Sequence, residues 1–203
     1  MTLPQHPDVK IVSEQTVWSG RFRVDVVQFR HRRFDGTMSA LRTWELFRRG
    51  RAAAVLPYDP ARDRVALMEQ FRLPALAAGM APVMVEIPAG LCDADEDPAA
   101  TARREAGEET GLTLGAMHEV GQFLLTPGGS DEQCTLFMGH ADLVDGPVTS
   151  TGLASEQEDI RLRLMDANEA IEQAVAGAYP NSVTTIALLW LAARRDWLRR
   201  EWA

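Results

Sequence analysis

Three glutamates, Glu105, Glu108 and Glu109, fall within five positions of one another in RREAGEETG, residues 103–111. On a helix, side chains three and four apart share a face, so Glu105 looks toward both of the others. Like charges at that spacing cost roughly 0.2–0.5 kcal/mol per pair. Near a helix C-terminus the macrodipole adds to the repulsion. Two readings accommodate that cost: a solvated acidic face, or a site for a hard cation. Mg2+ prefers carboxylates, waters and substrate phosphates, and a cluster of this kind offers the first of these.

The element that carries the acids is well marked. Asp97-Pro98 supplies an N-cap followed by proline at the first helical position. Gly111 stops the helix about four turns later. Ala99, Ala102 and Ala106 make a stripe of small residues, so close packing on a neighbour is expected. Gly107 inside the helix costs about 1 kcal/mol relative to alanine, which predicts a backbone contact or a tight approach that a side chain would block.

What precedes the helix decides between the two readings. From Gly90 the chain runs five residues to Glu96, then seven more to Arg104-Glu105, followed by Ala106, Glu108-Glu109, Gly111 and Leu112. This resembles the signature box of the Nudix hydrolases, GX5EX7REUXEEXGU, with U a bulky aliphatic residue. The single departure is Ala106, at a position usually filled by a larger aliphatic, which touches packing and not chemistry. The resemblance implies an α-β-α sandwich around a mixed sheet and cleavage of a nucleoside diphosphate linked to another moiety. It implies Glu105 and Glu109 as the leading metal ligands, Glu108 as the next, and the carbonyl of Ala89 as a backbone ligand. The implied cofactor is Mg2+, with Mn2+ as an alternative. Arg104 reads as an orienting partner for a neighbouring carboxylate, because arginine stays charged.

The similarity extends beyond the box. SGRFRVDVVQFRH, RRGRAAAVLPYDPARDRVALMEQFR, VEIPAGL, TPGGSDE and GLASEQEDI all resemble the bacterial ADP-ribose pyrophosphatases, as does Pro127, sixteen residues after Gly111. In that branch the general base lies outside the box, on a loop before the penultimate strand. Glu156 matches the base and Glu158 an additional metal or water ligand. Substrate contacts are implied for Arg72, Arg21, Phe22, Trp44, Glu86 and Ser130. Adenine recognition needs an aromatic or guanidinium plane to stack on, and Trp18, Phe22 and Trp44 supply candidates. Trp44 departs from an arginine of the relatives. The branch also implies a homodimer in which an N-terminal hairpin swaps between subunits.

Composition narrows the partners. The chain has 203 residues and a formal net charge of −8, from 29 acids against 21 bases. That balance opposes non-specific nucleic-acid binding, which draws on phosphate neutralisation, and leaves small phosphorylated ligands open. Cys92 and Cys134 form no CxxC pair, and the four histidines have no metal-ligand spacing. The N-terminal MTLPQHPDVK lacks an apolar core for a signal peptide, and IALLWLAA is far shorter than a membrane span of ~20 residues. A cytoplasmic protein without membrane association is expected.

The remaining pattern supplies the scaffold. Residues from about 20 to 49 alternate in places and contain Asp35-Gly36, which predicts an antiparallel N-terminal hairpin. AAAVLPYD and RVALMEQFR predict buried strands joined by a turn at DPARD, and FRLPALAAGMAP a proline-punctuated loop. VMVEIPAG, HEVGQFLLT, CTLFMGHADL and IRLRLM predict further strands. DANEAIEQAVAG predicts a helix capped by Asp166 and Glu169, and a long helix follows from Asn181, with Ile186, Leu189, Trp190, Ala193 and Trp197 toward the core. The expectation is an α/β (α+β) layer fold, with residues 1–50 as an N-terminal β hairpin and dimerisation region and 51–203 as the Nudix domain. The leading function is Mg2+-dependent hydrolysis of ADP-ribose to AMP and ribose 5-phosphate. The alternatives are another nucleoside diphosphate sugar, such as GDP-mannose or ADP-glucose, and a non-catalytic nucleotide-binding module.

Overall fold

The computed structural model describes residues 3–145, 150–152 and 158–202, with the side chain of Ser150 left out. They divide into two compact units, one of residues 1–50 with 124–133 and one of 51–123 with 134–203. In the first unit β1 (Val9–Ser19), β2 (Arg23–His31) and β3 (Arg42–Arg48) form an antiparallel sheet in that order. The expected hairpin is thus a three-stranded sheet. Asp35-Gly36 lies in the connection between β2 and β3, where the Asp35 carboxylate accepts the Thr37 N–H at 2.8 Å. The strand β1 escaped the sequence reading because it is exposed on both faces, so no alternation marks it.

The segment 124–133 belongs with this sheet through β3. Phe47 donates its N–H to Gly129 and accepts one from Asp131. Arg48 bonds Asp131 at 2.6 Å and also reaches Glu14 and the buried Asp25. Asp25 is further held by Thr16 at 2.7 Å and Arg23 at 2.9 Å. Burial pushes the Asp25 carboxyl up, but these donors outweigh it and hold the group below its ordinary value.

The second unit is built on an eight-stranded sheet. Its strands are β4 (Arg51–Asp59), β5 (Arg64–Phe71), β6 (Val83–Glu86), β7 (Ala89–Leu91), β8 (Met117–Leu124), β9 (Gln133–His140), β10 (Ser150–Thr151) and β11 (Ile160–Asp166). The main path runs β10-β11-β5-β4-β9-β8. β10, β11, β5 and β4 pair antiparallel in turn, but Gln133 donates to the Gly50 carbonyl and Ala141 to that of Tyr58, so β4 and β9 run parallel and the sheet is mixed. Successive side chains of β4 face opposite layers, and the strand is buried on both. Ala53 and Val55 join Ala102 and Ala106 in one core cluster, on helix α2 (Pro98–Thr110). Tyr58 points to the other layer, where α3 (Ala167–Val175) and α4 (Ser182–Glu201) pack together. The α-β-α arrangement follows.

One irregularity matters for the site. β4 and β5 pair only beside their turn, at Tyr58 with Val65 and Asp59 with Arg64. Beyond it the two strands splay apart, and residues 83–91 fill the gap. β6 pairs with β5 from Met68–Glu86 to Phe71–Val83, whereas β7 pairs with β4 from Ala52–Leu91 to Ala54–Ala89. Pro88, which has no N–H to give a ladder, marks the crossover, and its carbonyl accepts from Val55. The expected single strand VMVEIPAG is therefore two short ones. The expected loop at residues 71–82 contains a short helix, α1 (Leu73–Ala77), with proline in its first turn.

Two further expectations are corrected. In α4 the buried positions are Thr184, Ala187, Leu188, Leu191 and Leu198, whereas Leu189 is exposed and Trp190 and Trp197 pack against His118. IALLWLAA is apolar around its whole circumference, so its period selects no face. A Cβ at Gly107 would meet its nearest heavy atom, the Leu112 carbonyl oxygen, at an ordinary 4.0 Å. Nothing in the structure explains that glycine.

Asp63 ties α4 to the β4–β5 turn from a left-handed backbone, φ 57°. Its carboxylate accepts the buried Tyr58 hydroxyl at 2.7 Å and pairs with Arg195. Burial raises the carboxyl, but the bonds from Arg195 and Tyr58 carry it below 3.8. Asp63→Ala is expected to cost about 2–3 kcal/mol in urea unfolding, because it strands a buried hydroxyl and a cation. The Asp63 contribution is full above 3.8 and is lost as the pH falls through the lower folded value. The gap between wild type and variant therefore narrows in acid.

Candidate active site

Helix α2 starts at Asp97, whose backbone is extended although its side chain makes no cap bond, and ends at Gly111 with φ 71°. Between them the helix presents Arg104, Glu105, Glu108 and Glu109 over β7. Ala102 and Ala106 are fully buried on β4, so small side chains bring α2 near the strands. The tight approach lies at Gly90, where a Cβ would stand 1.8 Å from Oε1 of Glu105 and 2.1 Å from its Cδ. Only glycine leaves room for that carboxylate.

Glu109 is the most enclosed acid, 3% exposed, and its Oε2 accepts the Ala89 N–H at 2.8 Å. Burial pushes its carboxyl up to about 8; the Ala89 N–H opposes the rise, Glu105 and Glu158 add to it, and Arg72 opposes it. Burial also raises Glu105, against the pull of Arg104, with Glu108 and Glu158 adding to the rise. These groups therefore share one electrostatic neighbourhood. Arg104 bridges the outer acids: its guanidinium bonds Glu105 at 2.8 Å, Glu108 at 2.9 Å and Glu96 at 3.2 Å. The Arg104 bond holds Glu96 down at about 2.

Among the described residues, no three His, Cys, Asp or Glu side chains stand as a ready metal-holding group. Arg104 takes one oxygen each of Glu105 and Glu108, and the Ala89 N–H takes one of Glu109. The donor set still fits a hard divalent cation in kind, since every candidate ligand is an oxygen. The crowding of acids around a buried Glu109 also calls for positive charge. The residues able to hold such an ion are Glu105, Glu108, Glu109 and Glu158, with the carbonyl of Ala89.

Arg72 occupies the N-cap position of α1, and its Nε and Nη2 both bond Oε2 of Glu86, at 2.9 and 2.8 Å. Glu86 is buried and also accepts from Gln70 and Asn181. Arg21, Phe22, Trp44 and Ser130 belong to the N-terminal unit. There the Arg49 guanidinium lies 4.2 Å over the Phe22 ring, Arg21 lies 5.8 Å from it, and Phe22 meets Phe47 edge-on. Trp44 packs edge-on against Phe29, and the Ser130 hydroxyl accepts the Glu132 N–H. Glu156 lies outside the described residues. The sequence reading missed Gln70 and Thr151, whose hydroxyl bonds the Glu109 carbonyl, and took Asn181 only as a helix start. No local pattern marks a side chain whose partner lies far along the chain.

A model of the NUDIX domain matches residues 48–185. The chain is 39% identical to the ADP-ribose pyrophosphatase of Escherichia coli (strain K12) over 196 residues, covering 97% of this chain and 93% of that protein. It is 33% identical over 148 residues to the GDP-mannose pyrophosphatase of Salmonella arizonae, covering 72% and 76%. A crystal structure of an ADP compounds hydrolase superposes with a TM-score of 0.68 at 17% identity, covering 98% of each chain, and supports the fold.

Gly90→Ala tests the close approach. The blocked atoms are the far end of a flexible side chain, so the melting temperature should stay near that of the wild type while Glu105 is displaced. Mn2+ affinity by calorimetry is expected to fall about ten- to hundredfold.

Proposed function

The chain belongs to the NUDIX family, and on that premise we propose that it hydrolyses the pyrophosphate of ADP-ribose to AMP and ribose 5-phosphate. One observation carries this choice of substrate. The likeness to an ADP-ribose pyrophosphatase runs through 97% of the chain, beyond the 48–185 match of the family model. The runner-up is the same chemistry on another nucleoside diphosphate sugar, favoured by the 33% identity to a GDP-mannose pyrophosphatase.

Divalent-metal dependence goes with the family, and Mg2+, with Mn2+ as substitute, is the ion proposed here. When bound, such an ion neutralises phosphate charge and acidifies a water. The residues assigned to hold it are Glu105, Glu108, Glu109, Glu158 and the carbonyl of Ala89. Arg104 orients Glu105 and Glu108 through its fork of hydrogen bonds. Arg72 binds a phosphate oxygen of the substrate. Glu156 accepts the proton of the attacking water, whose oxygen joins one phosphorus as the bridging P–O bond breaks. Arg21, Phe22, Trp44 and Ser130 are assigned to the adenosine end, where a guanidinium or ring face can stack on the base.

The same reading divides the chain into an N-terminal dimerisation region, 1–50, and a catalytic domain, 51–203, with the N-terminal strands exchanged in a homodimer. Val12, Val17, Trp18 and Trp44, each exposed on the three-stranded sheet, support it, since large apolar side chains left in water favour a partner. A cytoplasmic location accords with Cys92 and Cys134, which are not joined in a disulfide. No helix of the described residues is long and apolar enough to cross a membrane.

Purified protein with Mg2+ is expected to cleave ADP-ribose in preference to GDP-mannose and ADP-glucose, read by release of AMP. A preference for GDP-mannose would sink the substrate assignment and keep the reaction. Glu156→Gln is expected to lower kcat about 10²–10⁴-fold while Mn2+ binding survives. Near-normal turnover in that variant removes Glu156 from the mechanism.

A further inference from the structure

Asn181 has two neighbours of opposite demand. Its Oδ1 accepts the Thr184 N–H at 3.0 Å and caps helix α4, while its Nδ2 donates to Oε1 of Glu86 at 2.9 Å. A backbone N–H cannot accept and a carboxylate cannot donate, so the amide has one orientation. Serine or aspartate would cap the helix as well as asparagine. Neither meets both demands: aspartate sets a second negative charge against Glu86, and serine is too short to serve two partners so far apart. The choice of asparagine therefore answers to Glu86 and not to the helix alone.

Glu86 is 6% exposed, and both of its oxygens are engaged. Asn181 holds Oε1, while Oε2 takes the Arg72 Nε and Nη2 with Gln70 Nε2 at 3.3 Å. Arg72 itself is half-exposed, and an arginine with that freedom loses considerable rotamer entropy when it settles into one pose. A carboxylate fixed from behind confines the guanidinium before a ligand arrives. The Arg72 charge also acts on Glu109, one of the box acids.

We propose that Asn181 is a positioning residue for substrate binding, which clamps Glu86 so that Glu86 aims the Arg72 guanidinium at a phosphate of the nucleoside diphosphate. The α4 N-cap is thereby coupled through one carboxylate to a phosphate-binding arginine at the end of β5. This rests on the assignment of Arg72 as a phosphate contact. It gives Glu86, with no free oxygen, the task of holding Arg72.

The test compares wild type, Asn181→Ser, Arg72→Ala and the double variant, using Mg2+ and whichever nucleotide sugar the wild type cleaves best. Asn181→Ser keeps the cap and should hold the melting temperature within a few degrees of wild type, roughly the cost of a cap exchange. It is expected to raise KM about tenfold with kcat changed less than about threefold, the mark of lost ground-state binding. Arg72→Ala should raise KM further, and the double variant should match Arg72→Ala, because Asn181 acts only through it. Calorimetric affinity for ADP with Mg2+ should follow the same order. If Asn181→Ser melts below the assay temperature, Glu86→Gln reports the link from the other side by the same comparison. Unchanged KM in a folded Asn181→Ser, or effects that multiply in the double variant, overturns the proposal. A wild type that prefers another nucleoside diphosphate sugar overturns the ADP-ribose assignment alone.

Discussion

The carboxylate of Glu105 lies against the Cα of Gly90, and the neighbouring Glu109 takes the Ala89 N–H. That contact between a helix and a short strand is the constraint on which the site depends. It requires α2 to sit close to the sheet, which alanines at 102 and 106 allow. It requires β7 to lie under the helix with a free N–H, which the splaying of β4 from β5 provides. The departure of Ala106 from the bulkier box residue fits the same packing, since its neighbours in the core include Ala53 and Ala66.

Enclosing that much negative charge has consequences for everything around it. Burial drives Glu109 and Glu105 toward their protonated forms. The chain answers with two cations: Arg104, bonded to the outer acids, and Arg72, whose charge acts on the inner one. Both are arginines, which remain charged in such surroundings, and the Arg104 fork holds oxygens of three glutamates at once. The repulsion that seems wasteful on an isolated helix is what makes the site receptive to a divalent ion and a diphosphate.

The two units use charge differently. In the N-terminal one, Arg48 joins Asp25, Glu14 and Asp131, and so attaches the 124–133 segment to β3. These ions are satisfied within the unit and organise structure. In the larger unit, Asp63 with Arg195 and Tyr58 does the same for α4. The acids over β7 differ because they outnumber the cations among them.

Much of this was legible in order. The caps of α2, its alanine stripe and the spacing from Gly90 to Leu112 are local, and each follows from backbone chemistry that neighbouring residues determine. The strands β4, β5, β9 and β11 were equally plain, because burial imposes a pattern on their side chains. The strand β1, the buried face of α4 and the reason for the tight glycine were not. An exposed strand has no alternation, an all-round apolar helix has no preferred face, and a missing Cβ does not say which side chain needs the space. The sequence by itself determined the family, the acids and the helix that bears them. Only the tertiary structure decided that Gly90 makes room for Glu105, and that Asn181, far along the chain, holds Glu86 against Arg72, because such pairings depend on which strands splay and what enters the gap.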